Sequence, residues 1–135
     1  MMNFIKTLKD NGYQMQDTPS SSKNVIEAQK ELVKSGYPFL PLEFISFLKS
    51  YNGLRGEDSA ILGVLPRDKG LDIITFNEIH NGSKDMVILG YDDFCFLVYD
   101  ELQKDYVLVD RETGDELESF SAEGLPEGLS SILHY

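Results

Sequence analysis

Two histidines, one cysteine and a run of carboxylates are the side chains in this sequence that could do chemistry. His80 lies in the polar segment EIHNGS and His134 is the penultimate residue. A metal pair on one element wants such ligands about three to five residues apart, and these stand 54 positions apart. Each is read as an ordinary surface or partly buried histidine. Cys95, in DFCFLVY, has no base or cation beside it in sequence. A reactive thiol needs one to lower its pKa, so Cys95 reads as a small buried apolar residue. A lone cysteine also rules out an internal disulfide and a thiolate metal cluster.

The acids do not form a metal-binding pattern. DRETGDELE, residues 110–118, has the composition of a calcium loop. An EF-hand, however, needs Asp or Asn at alternating positions before its glycine. The order around Gly114 fits a hairpin turn instead. Asp92 and Asp93 are adjacent, and adjacent residues of a strand point to opposite faces. GVLPRDKG, residues 63–70, has neither Walker nor GxGxxG spacing, and no GxSxG elbow occurs. No catalytic residue, metal ligand or cofactor is assigned.

Charge is the stronger signal. Thirteen acids lie between Asp85 and Glu127 against Lys104 and Arg111, which accounts for the whole net charge of −11. The remainder is balanced, with ten acids and ten bases. Nucleic acid and anionic membrane would be repelled by such a region, because both are bound through Lys and Arg. A basic protein would be attracted and its encounter accelerated. Solubility alone is the competing explanation for an acidic surface.

The elements that must position these groups follow from periodicity. Met2, Phe4, Ile5 and Leu8 fall at helical spacing, broken by Lys6 and Lys9, and suit a short amphipathic helix rather than a secretory signal. With no membrane-spanning run, a cytoplasmic protein is expected. Residues 17–24, DTPSSSKN, read as a connector. Asn24 with Glu27, or Ser22, would cap a helix whose face is Val25, Ile26, Gln29, Leu32 and Val33, closed by Gly36. In LPLEFISFLKSYNG, residues 40–53, Pro41 suits a first helical turn. Phe44, Leu48 and Tyr51, with Ile45 and Phe47, make a wide apolar stripe, leaving Glu43, Ser46, Lys49 and Ser50 for solvent. That pattern describes a core helix and scaffold rather than a ligand site.

Beyond it the pattern turns to strands. SAILGVL (59–65), MVILGY (86–91), FCFLVYD (94–100), DYVLVDR (105–111) and DELESF (115–120) are short apolar or alternating runs. Their close succession predicts an antiparallel meander over about 86–120, with Gly114 at positive φ in a hairpin loop. GLDIITFNEIHNGS, residues 70–83, fits either an extended segment or a short helix. Leu125, Leu129, Ile132 and Leu133 predict a closing helix. At 135 residues the chain is read as one α+β domain, 1–135, with helices packed against a twisted, mainly antiparallel sheet.

The segment LPLEFISFLKSYNG resembles the signature of the SUKH superfamily, the SMI/KNR-type domain, at Leu40, Pro41, Phe44, Phe47, Leu48, Asn52 and Gly53. AILGV, VILGYDDFCFLVYD and YVLVDRETGDELESF resemble the later strands, so the likeness spans about residues 22–133. The chain departs from the pattern in having Leu54 in place of a second glycine and no tryptophan. Asp92-Asp93 also replaces a glycine-rich turn. The resemblance implies a non-enzymatic α+β domain. Bacterial members are implicated as immunity proteins that neutralise polymorphic toxins, many of them nucleases, and fungal relatives look like interaction hubs.

The expectation is therefore a protein-binding module, in the first place an immunity protein that neutralises a cognate toxin by direct binding. Its acidic face would be Asp92, Asp93, Asp100, Glu101, Asp105, Glu112, Asp115, Glu116 and Glu118, meeting a basic toxin domain. A cytoplasmic regulatory scaffold is the alternative, and a metal-dependent carboxylate enzyme a further one.

Overall fold

The computed structural model describes residues 6, 10, 14–15, 21–56, 58–64, 72–121 and 124–133. The helix expected around Met2, Phe4, Ile5 and Leu8, the first half of the 17–24 connector, and His134 lie outside the described residues. In chain order the elements are β1 (Gln14–Met15), α1 (Ser22–Lys34), α2 (Leu42–Ser50), β2 (Leu54–Arg55), β3 (Ala60–Ile61), α3 (Ile73–His80), β4 (Met86–Tyr91), β5 (Cys95–Asp100), β6 (Asp105–Asp110), β7 (Glu116–Phe120) and α4 (Leu125–Leu133). The strands lie in one sheet in sequence order, and every neighbouring pair is antiparallel. This is the expected α+β architecture, and β4 to β7 are the expected meander.

Local chemistry sets the helix limits. Ser21, one residue before Ser22 and three before Asn24, the expected caps, accepts the Asn24 amide through its side chain and opens α1. Asn24 donates this bond rather than capping. Gly36 closes the helix at φ +94°, with its amide on the Val33 carbonyl and the Tyr37 amide on that of Leu32. Gln29 Oε1 then accepts the Leu40 amide at 2.6 Å and fixes the connection into α2.

Pro41 precedes α2 as its extended N-cap. Phe44, Phe47 and Leu48 are buried as the stripe required, each such burial contributing about 1.5–3 kcal/mol. The stop at Asn52-Gly53 has a cause. Asn52 Oδ1 accepts the Val64 amide at 2.7 Å. Gly53 has φ +85°, and a Cβ there would lie 2.8 Å from the Ile61 carbonyl oxygen, so only glycine fits.

Within the ambiguous 70–83 segment, residues 73–80 form helix α3, opened by Asp72, which accepts the amides of Ile74 and Thr75. Asn77, fully buried on α3, knits it to the sheet. Its side chain donates to the carbonyls of Ile73 and Ile88 and accepts the Ile88 amide. Phe76 stacks on Tyr91 at 5.0 Å and meets Phe96 edge-on at 5.8 Å. On the opposite face of the sheet α4 packs close to β5, and a Cβ at Gly128 would lie only 3.0 Å from the Leu97 side chain. The core thus lies between the meander and helices on both of its faces, and α1 packs on α2 and α3.

Candidate functional site

The candidate acids divide into turn-builders and surface charges. Asp92 and Asp100 were expected to be exposed, and both are buried, at 5% and 4%. Asp92 Oδ1 accepts the amides of Phe94 and Cys95 at 2.8 and 2.6 Å. Asp100 Oδ1 accepts those of Leu102 and Gln103 at 2.9 and 3.3 Å. Asp110 Oδ1 repeats the arrangement with Glu112 and Thr113 at 2.8 and 3.0 Å. An aspartate therefore closes each of the three hairpin turns of the meander, taking up amides that the turn would otherwise leave open. Asp92 and Asp100 are therefore turn residues and do not belong to an exposed acidic face.

The remaining acids lie at two opposite ends of the sheet. Glu101 and Asp105 flank the β5–β6 turn. Glu101 is paired with Lys104 at 2.8 Å, and this hydrogen bond raises the Lys104 pKa. Asp105 stands directly across from Asp100. Burial, and then the neighbouring Asp100 charge, push the Asp105 carboxyl above its ordinary range.

At the other end, the β4–β5 and β6–β7 turns lie side by side. The Arg111 amide donates to the Phe94 carbonyl at 2.9 Å, and the Arg111 guanidinium donates to the Asp92 carbonyl at 2.6 Å. The same guanidinium lies 4.9 Å over the Phe96 ring, so Arg111 is engaged by its own turns. Around these turns Asp93, Glu112, Asp115, Glu116 and Glu118 are all exposed.

Two apolar side chains stand among them that the sequence reading did not single out. Phe94 is 74% exposed and Leu117 is 56% exposed. Leu117 lies at a register shift. Val109 pairs with Glu116 and Leu108 with Glu118, leaving Leu117 as the extra residue of a bulge. β7 is also the terminal strand of the sheet, with every residue before Phe120 exposed. The signal for Phe94 lay in its place directly after the Asp92-Asp93 turn, where an aromatic faces outward.

The other chemistry-bearing residues are quiet. The Cys95 thiol is half-buried, and its pKa is raised by burial first and then by Asp92 and Asp110. That is the opposite of activation. His80 packs its ring on Phe76 at 4.3 Å, and burial followed by the Arg111 charge lowers its pKa. Glu43, expected in solvent, instead binds Tyr106 and the Leu125 amide. Among the described residues no group of three or more His, Cys, Asp or Glu is placed to hold a metal ion. None of their helices is long and apolar enough to cross a membrane.

No protein-family model matches this chain, and no curated protein matches it.

Proposed function

We propose that this chain is a non-enzymatic binding module that docks a basic protein on the Phe94–Leu117 end of its meander. The observation that carries the reading is two exposed apolar side chains set among five exposed carboxylates, with the nearest arginine tied up in its own turns. Productive interfaces combine a few apolar or aromatic anchors with a charged rim that speeds encounter. Phe94 and Leu117 supply the anchors, and Asp93, Glu112, Asp115, Glu116 and Glu118 supply the rim.

The resemblance to SUKH domains names the partner class: a nuclease-type toxin domain, whose phosphate-binding surface is basic. Neutralisation would be occlusion of that surface by an immunity protein acting in the cytoplasm. The test is co-purification with a basic toxin domain encoded beside this gene, followed by assay of its nuclease activity. Stoichiometric inhibition that Phe94→Asp abolishes is the expected result. A complex that forms and inhibits equally well with Phe94→Asp and Glu116→Lys/Glu118→Lys would remove this surface from the account.

A further inference from the structure

A second surface, remote in character from the acidic end, lies along α1 and α2. Between these helices runs a cleft of about 570 Å3, continuous through Gln29, Phe39 and Ile45 with a neighbouring cleft of about 510 Å3. Ile26, Val33 and Phe39 line it at 53%, 39% and 64% exposure. Leu42, on the adjoining cleft, is 82% exposed. Large apolar side chains clustered at this exposure mark an interaction surface more often than chance scatter does.

The charge around the cleft is sorted. Lys30 and Lys34 of α1 and Lys49 of α2 line it, whereas Glu27 and Glu31 of α1 do not. Glu43 and Glu101 line the neighbouring cleft, where Glu43 is turned to Tyr106 and Leu125 and Glu101 is paired with Lys104. A protein of net charge −11 thus carries a local cationic, apolar groove.

We infer that the α1–α2 groove receives an amphipathic helix with acidic flanks from a partner protein. Apart from Phe39 of the connecting segment, the described lining belongs to two helices whose backbone groups are satisfied internally, so among the described residues the groove offers side-chain contacts and no strand edge. That favours an occupant whose own backbone is also satisfied, a helix laid into a groove. The thirteen residues of α1 span about 20 Å, the length of three to four helical turns. The lysines select acidic flanks over basic ones, by the charge matching that governs interface specificity. A second copy of this chain is disfavoured by the repulsion of two molecules each carrying −11.

The experiment titrates the full-length 15N-labelled chain with two synthetic helical peptides of about sixteen residues. They share one leucine spacing of i, i+3, i+7 and i+10, and differ in carrying glutamate or lysine at the other positions. The glutamate peptide is expected to shift the amides of Ile26, Val33, Phe39 and Ile45, and the lysine peptide to leave them unchanged. Ile26→Asp/Val33→Asp, at exposed positions that leave the core intact, is expected to abolish these shifts. Lys30→Glu/Lys34→Glu should weaken binding by about tenfold. The inference is overturned if the lysine peptide binds as well, or if the glutamate peptide perturbs the meander instead. Equal perturbation of the groove amides by phosphatidylserine vesicles, or by raising the protein's own concentration, would also overturn it.

Discussion

The Tyr106 hydroxyl donates to Glu43 Oε1 at 3.1 Å, and the same oxygen accepts the Leu125 amide at 3.2 Å. One carboxylate of α2 therefore joins the middle of the meander to the first turn of α4, where a helix N-terminus favours negative charge. Tyr106 is fully buried, so its hydroxyl needs this acceptor. Glu43→Ala should cost about 1–3 kcal/mol, the penalty of leaving a buried donor unpaired. Glu43→Gln, which keeps an acceptor, should cost less. Chemical denaturation of the two variants beside the parent checks the order. Equal stability of all three would show that the link contributes nothing.

The same pair predicts behaviour in alkali. Burial, then the Glu43 charge, push the Tyr106 pKa far above the ordinary tyrosine value. The folded state thus holds the neutral phenol more tightly than the unfolded chain does. The stability from this source is complete below about pH 10 and declines as pH rises beyond the unfolded tyrosine pKa. In a spectrophotometric titration Tyr106 should ionise together with unfolding, after the exposed tyrosines. Tyr106→Phe should diminish that late step, leaving the part that belongs to Tyr99, whose pKa burial also raises.

Asn77 makes a third prediction. Its side chain satisfies the Ile88 amide and the Ile73 and Ile88 carbonyls, and it also accepts from Asn81 at 2.9 Å. Tyr37 reaches the same region through a 2.9 Å hydrogen bond from its hydroxyl to the Asn77 carbonyl. Asn77→Leu preserves size but strands the buried Ile88 amide, at a cost of about 1–3 kcal/mol for each group left open. Amide exchange should accelerate at Ile88 first. Unchanged exchange there would contradict the bridging role.

Two aspartates should respond to pH with opposite signs. Hydrogen bonds from the Thr113 amide, and next the Glu112 amide, hold the Asp110 carboxyl below its ordinary range. Its contribution is therefore present above the unfolded Asp pKa of about 3.9 and lost as pH falls through the lower folded value. Asp105 is raised by burial and by Asp100, so the parent loses stability as pH climbs above the unfolded Asp pKa of about 3.9, and the loss is complete above the raised folded value. Asp110→Asn should be less stable than the parent at neutral pH, and Asp105→Asn more stable. Both differences should shrink toward pH 3. Stability curves with the same sign for the two variants would refute this assignment.

Phe94→Ser and Leu117→Ser test docking apart from folding. Both side chains are largely exposed, so each change should alter stability by no more than about 0.5 kcal/mol. Loss of partner affinity by about tenfold or more is expected of anchors. A thermal melt and a binding isotherm on each variant separate the two effects. Marked destabilisation without loss of affinity would assign these residues to the fold instead.

The sequence was most readable where burial repeats locally. The Phe44–Leu48 stripe and the Leu125–Leu133 helix follow from helical periodicity, and β4, β5 and β6 from short continuous apolar runs that are buried along their length. β1, β2 and β3 have two residues each, too few to show any period. Glu43 was placed in solvent because its partners lie 63 and 82 positions away. The acidic face was overcounted for a related reason. Composition registers the charge of Asp92 and Asp100, but their work is to bind amides two and three residues onward inside a turn. Register then divided the remaining acids between the two ends of the strands.

The central claim is that the acidic Phe94–Leu117 end steers and holds a basic protein. The most direct measurement is the association rate constant with the proposed basic toxin domain as ionic strength is raised, for the parent and for Glu116→Lys/Glu118→Lys. The account predicts a rate that falls by about tenfold or more from low to high salt in the parent, and a slower, flatter dependence in the variant. A rate indifferent to salt, or identical in the two proteins, would contradict it.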